Sequence, residues 1–208
     1  HARAPAFVDR PVLATAPLKA GHAREELSRV GDSSWDLGPA VFRENARRCH
    51  VTVHFDVLEH ADVQAAMRAY LYARLNVDLP GYRPKLPPAS IRQAFNRARR
   101  FFAFARLTLG GLDLGRIDQA LADAYARHLR HDSARRPVIV GHLLEVVSDL
   151  YHYRDRLAGG GLAFEPWAGQ APARVAGYRH VVENRTPRFP EDVIAALLAW
   201  SLRYVTVF

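Results

Sequence analysis

The chain has one cysteine, Cys49, so no disulfide can form within it and a reducing compartment is the default expectation. It is nearly without lysine: only Lys19 and Lys85 are lysines, and 27 of the 29 cationic residues are arginines. Long apolar runs are missing too. The longest, Val193–Trp200, is eight residues, far short of the roughly 20 that a membrane helix needs. No charged-then-apolar signal peptide opens the chain, and its first residue is His1 rather than Met. The expectation is therefore a cytoplasmic protein whose natural N-terminus is missing or altered. No glycine-rich phosphate loop and no G-x-S-x-G elbow is present, which removes the commonest nucleotide-binding and hydrolase signatures. Cys49, His50, His54 and His60 are zinc-ligand types, but their spacing fits no established pattern and a second cysteine is lacking. No metal and no other cofactor is expected.

What is there is an ordinary globular composition carrying an unusual charge. Of 208 residues, 49% are hydrophobic and 24% charged, enough for one or two domains with a real core. The net charge is +8. Arginine presents a flat five-donor fork that pairs with phosphate and stacks on bases, so its excess points to a polyanionic partner. A GC-rich genome would raise arginine and alanine without any such partner, and composition alone does not separate the two.

Residues 1–35 carry scattered prolines and no sustained period, which predicts an extended arm with at most a short helix near Ala23–Val30. Val51–Val57 alternates like a strand but has no evident partner. Helical spacing then predicts a helix over Asp62–Leu75, a proline-rich linker at Leu79–Pro88, and helices over Pro88–Leu109, Arg116–Arg130 and Pro137–Leu157. Phe95, Phe101, Phe102, Leu121, Leu143 and Leu150 should share the core, with His128 and Ile139 on the same buried stripes. Residues 159–190 read as a long connection with one helical turn near Ala173–His180, and a last helix follows Pro190. Trp35, Trp167 and Trp200 read as core anchors. The expected fold is all-α: a small helical bundle at 85–158, an arm with one extended segment and one helix at 1–84, and a linker plus helix at 159–208.

The Pro88–Leu109 segment says most about function. At about 100° per residue its apolar side chains, from Ile91 to Leu109, fill an arc of roughly 120°. Arg92, Arg97, Arg99, Arg100 and Arg106, with Gln93 and Asn96, fill the rest, and no acidic residue lies on it. Unopposed like charges three and four residues apart repel, so five such arginines imply an external anion. From Pro88 to Arg136, ten arginines face four aspartates, giving +6 of the chain's +8. Arg116, Arg127 and Arg130 share one side of the next expected helix, and Arg135 and Arg136 stand just before the fourth. These ten arginines are the candidate DNA-binding residues, on a surface suited to phosphates. A membrane surface would attract the same charge, but the aromatic face has helical partners and its better use is burial in a bundle.

Several stretches resemble the N-terminal, core-binding half of the tyrosine recombinases (phage-type integrases), in their actinobacterial style. They are A-S-I-R-Q-A-F-N-R-A-R-R-F-F-A-F-A (Ala89–Ala105) and G-L-D-L-G-R-I-D-Q-A-L-A-D-A-Y-A-R-H-L (Gly111–Leu129). Upstream lie S-W-D-L (Ser34–Leu37), V-H-F-D-V (Val53–Val57) and A-Y-L-Y-A-R-L (Ala69–Leu75); downstream lies E-N-R-T-P-R-F-P-E-D-V-I (Glu183–Ile194). The resemblance covers most of residues 34–208 and rests on loose helical patterns. It implies a SAM-like core-binding bundle that clamps one face of double-stranded recombination-site DNA, with strand exchange through a phosphotyrosine and without Mg²⁺. The family's catalytic set does not carry over. None of the ten histidines has Arg three residues later, and Tyr204, late in the chain like the family's nucleophile, is expected to pack rather than react.

The expectation is thus a DNA-binding fragment of such an integrase that positions DNA without cutting it, not an enzyme as this chain stands. Self-association on DNA is left open. The rivals are an architectural or regulatory nucleic-acid-binding protein without recombinase ancestry, and a helical module whose arginine face meets an acidic protein.

Overall fold

The computed structural model describes residues 6–43, 47–131, 136–178 and 189–207. Among them it is mostly helical, the all-α bundle that the periodicity predicts, with a two-stranded sheet as its only sheet. In chain order the elements are β1 (Ser34–Asp36), α1 (Arg48–Val51), β2 (Thr52–His54), α2 (Ala61–Asn76), α3 (Ile91–Leu109), α4 (Gln119–His131), α5 (Pro137–His152), α6 (Pro172–Val175) and α7 (Glu191–Val207), with short 3₁₀ turns between them.

Local chemistry sets the helix ends. α3 stops at Gly110, whose φ of 73° is the left-handed conformation that glycine adopts without strain. Asp118 caps α4, its carboxylate accepting the Leu121 N–H at 2.8 Å. Pro137 opens α5, where its missing N–H removes nothing from the helix ladder.

α3 lies at the centre of the bundle and packs against α2, α4 and α5. Ala98, Phe101, Phe102 and Ala105 are fully buried. Phe102 meets Tyr70 of α2 edge-on at 6.4 Å, and Phe101 meets Tyr125 of α4 at 5.0 Å. Burying each ring stabilises the bundle by roughly 1.5–3 kcal/mol. The six core residues expected from spacing are all buried.

Several expectations are corrected. The N-terminal segment is no free arm: Val12, Leu13 and Val30 are fully buried. The Asn76 carboxamide fastens it, accepting the Thr15 N–H at 3.1 Å and donating to the Val12 carbonyl at 2.9 Å, while the Arg24 guanidinium donates to the Leu13 and Ala16 carbonyls. Prolines broke the period there, but the apolar residues between them are buried one by one. The strand-like segment does have a partner: β2 pairs antiparallel with β1, Trp35 opposite Val53. Trp35 is fully buried against Phe55 at 4.8 Å.

The third helix starts at Gln119, because Leu114–Arg116 forms a 3₁₀ turn ahead of the Asp118 cap. The fourth ends at His152, since Arg154–Arg156 tightens into another. Ile139 is 47% exposed at the open end of α5, beyond the reach of the apolar face of α3. His128 is exposed on the rim of the α4 stripe, its ring 5.2 Å from Phe104. Gly161 lies so close to α5 that a Cβ there would meet the Leu150 carbonyl oxygen at 2.2 Å, which lets the following segment fold back and bury Trp167. Trp167 has a left-handed φ of 53°, held by its N–H on Gln119 at 2.9 Å and its indole N–H on Asp123 at 3.0 Å.

One hydrophobic core therefore runs from Val12 to Ala176, across the boundaries expected at 84 and 158. The chain divides instead into His1–Tyr178 and Arg179–Phe208. In the second unit α7 forms as expected, but Trp200 is 69% and Tyr204 71% exposed, neither the core anchor nor the packing residue that was expected. Asp192, Arg203 and Thr206 share one side of the helix and large apolar residues cover most of the rest, so its periodicity predicts a helix with a broad apolar face and does not single out the residues to be buried. No helix among the described residues is long and apolar enough to cross a membrane.

Candidate nucleic-acid interface

The sequence-predicted arginines separate into two groups once α3 is packed. Three of the five on α3 find partners within the fold, Arg97 and Arg106 at the edges of its apolar face and the exposed Arg92 beside Arg99. The Arg97 guanidinium pairs with Glu145 of α5 at 3.1 Å. Arg106 Nε lies 3.4 Å from Asp62 of α2, and Arg92 donates to the Cys49 carbonyl. Arg99 and Arg100 remain exposed, their side chains making no hydrogen bond or ion pair with any described residue. The same holds for Arg116, Arg127 and Arg136, while among the described residues Arg130 bonds only the Ala126 carbonyl of its own helix, at 3.3 Å. Arg116 ends the 3₁₀ turn before α4, so the helical phase aligning it with Arg127 and Arg130 does not extend to it. Arg135 lies outside the described residues.

The exposed side of α3 forms a ridge with a shallow groove on each flank. One groove, about 360 Å³, runs past Val57, His60, Arg99, Ala103 and Leu107. The other, about 420 Å³, lies against α5 and is lined by Gln93, Asn96, Arg100, Ile139 and His142. The ridge carries positive charge and carboxamides, and α3 itself bears no carboxylate to neutralise it. The Asp62 carboxyl is taken up elsewhere. It accepts the Leu112 N–H at 2.7 Å and the Val63 N–H at 2.9 Å, and the Leu112 bond most of all, against a push from burial, holds it below the ordinary carboxylate value.

A second polar cluster lies under the opposite edge of α3, lining a cavity of about 140 Å³. Arg74 of α2 pairs with Asp149 of α5 at 3.3 Å, both 3% exposed. Asp149 also accepts the Tyr70 hydroxyl at 2.8 Å and the Tyr82 hydroxyl at 2.9 Å. Burial pushes its carboxyl above the ordinary range against the pull of Arg74. Glu145 joins Arg83 at 3.2 Å to Arg97 and His142, each at 3.1 Å. Although burial pushes the other way, Arg83 and His142 hold the Glu145 carboxyl below its usual value. Burial pushes the Tyr70 and Tyr82 phenols well up, so both act as donors here and not as nucleophiles. The cluster ties α2, α5 and the 78–86 segment together. Helical spacing alone does not reveal Asp149 as the partner of Arg74, which lies 75 residues before it. The available signal was Glu145 and Asp149, one turn apart beside the apolar stripe of the Pro137–Leu157 segment.

No family model, curated protein or solved structure matches the chain. The functional argument accordingly rests on its own residues. Among those described, no group of three or more histidine, cysteine, aspartate or glutamate side chains is placed to hold a metal ion.

Proposed function

We propose that this chain is a double-stranded-DNA-binding module of the tyrosine-recombinase (integrase) type, working in the cytoplasm and holding DNA without cutting it. One observation carries the reading. The arginines at the edges of the core are matched by carboxylates or carbonyls, whereas Arg99 and Arg100 on the α3 ridge are matched by nothing among the described residues. A helix that keeps its cations unneutralised on a raised face is suited to a polyanion. The resemblance of Ala89–Ala105 and Gly111–Leu129 to the core-binding half of the integrases makes duplex DNA the polyanion of choice. The basic face extends in the proposal to Arg116, Arg127, Arg130, Arg135 and Arg136.

The test is a salt titration of binding to a long duplex. Each phosphate neutralised contributes about −0.9 to the log–log slope. The Arg99→Ala/Arg100→Ala variant should show a slope shallower by about one to two units than wild type. Arg10→Ala, an exposed arginine remote in sequence, serves as the control and should leave it unchanged. Equal slopes for wild type and the double variant would remove the α3 ridge from the interface. Binding abolished by polyglutamate at matched charge would favour the acidic-protein reading. A nicked suicide duplex should trap no covalent adduct, and an adduct lost on Tyr204→Phe would overturn the non-cutting role.

A further inference from the structure

Gln64, Asn76 and Gln119 have their carboxamides fixed within the fold: Gln64 on the Leu58 carbonyl at 2.7 Å, Asn76 on Val12 and Thr15, Gln119 on Asp123 at 2.8 Å and on the Trp167 N–H. Gln93 and Asn96 differ. Both are exposed on α3, and neither has a hydrogen-bond partner among the described residues. They stand one turn apart, and Arg100 follows one turn later, so the three lie within an arc of about 60° on the ridge. Ala103 and Leu107 continue the same row, Leu107 being 85% exposed. Arg99 and Arg92 lie along one side of it, not within it.

We infer that the Gln93–Asn96–Arg100 row reads base edges in the major groove of duplex DNA, with Arg99 at its side on phosphate. The inference rests on the DNA-binding reading above and adds which side chains confer sequence preference. The chemistry is specific to these residue types. A carboxamide pairs in bidentate fashion with the N6 and N7 edge of adenine, and a guanidinium with O6 and N7 of guanine. A small or aliphatic side chain such as Ala103 or Leu107 suits a thymine methyl. A major groove about 12 Å wide admits one helix, and a ridge between two grooves is the part of this bundle shaped to enter it. The row from residue 93 to residue 100 spans about 10 Å at the α-helical rise, the length of about three base pairs. The preferred site should therefore hold two adenines and a guanine within three to four base pairs.

The experiment selects duplexes from a random-sequence pool with the full chain, then compares the enriched duplex with a scrambled one. Wild type should enrich a short motif of that composition. Gln93→Ala and Asn96→Ala should each lose about 5- to 150-fold on the enriched duplex and relax one adenine position, with affinity for the scrambled duplex unchanged. Both residues are uncharged, so the salt slope should be that of wild type. Arg100→Lys keeps the charge and removes the fork, and should relax the guanine alone. Duplex binding without an enriched motif, or equal losses on both duplexes, overturns this inference and leaves the proposed function standing. No duplex binding by wild type overturns both. A thermal melt of each variant unchanged from wild type shows that any loss is not unfolding.

Discussion

The two sides of α3 treat arginine in opposite ways. Along its inner edge, Arg97 joins Arg74 and Arg83 around Glu145 and Asp149, and these contacts bind α2, α3 and α5 together. Along its outer ridge, the Arg99 and Arg100 side chains have no partner among the described residues, although Glu59 lines the same groove as Arg99. Composition treats all these side chains as one excess of positive charge. Packing shows that part of the excess is structural and already neutralised, which leaves a smaller set free to meet another molecule. If that division holds, substitutions on the inner edge should change stability and those on the ridge should change binding.

The largest effect should come from Asp149→Ala. It leaves the Arg74 guanidinium buried without its carboxylate, and the buried Tyr70 and half-buried Tyr82 phenols lose their acceptor. Breaking one side of a buried pair typically costs about 3–5 kcal/mol. Urea unfolding should show the midpoint lowered accordingly. A loss under 1 kcal/mol would mean that water reaches the cluster and that the inner edge is not fixed as described.

A smaller loss, about 1–2 kcal/mol, is expected for Glu145→Gln, whose carboxylate serves Arg83, Arg97 and His142 at once. Its pH dependence has a defined sign. The folded-state pKa is lowered, so the contribution is complete above the unfolded value near 4.3 and is lost as pH falls through the folded one. Unfolding followed from pH 7 down to about 3 should give an acid limb that is shallower in the variant. Asp62→Asn should act in the same direction by under about 1 kcal/mol, because that carboxyl is partly exposed.

How much of this was legible beforehand differs between the two sides. The apolar arc of α3, with Phe95, Phe101 and Phe102, was readable because helical period and burial coincide there. The ridge residues were readable for the same reason, as the complement of that arc. The neutralisation of Arg97 by Glu145 was not, since the partners are 48 residues apart and meet only after α3 and α5 pack. The packed N-terminal segment escaped because its buried residues, Val12, Leu13 and Val30, follow no period. The strand pairing escaped because β1 is three residues long, too short to alternate visibly. Helical phase also failed at Arg116, where Asp118 starts α4 anew.

The smallest stability effect expected is also the one on which the binding experiments depend. Arg99 and Arg100 are exposed and share no bond with a described residue, so their guanidinium groups contribute little that Ala would remove. Surface substitutions away from packed features usually stay within about 0.5 kcal/mol. Arginine and alanine are both good helix formers, so propensity adds only a few tenths. Removing two positive charges from α3, which bears no carboxylate of its own, also relieves repulsion along it, which favours the variant. The Arg99→Ala/Arg100→Ala protein should therefore unfold within about 0.5 kcal/mol of wild type, measured in the buffer used for the salt titration. A loss near 2 kcal/mol would place these side chains in the structural group, and a flattened salt slope in that variant would then report damage to the fold. Stability unchanged together with a flattened slope would assign the ridge to the partner and the inner edge to the protein itself.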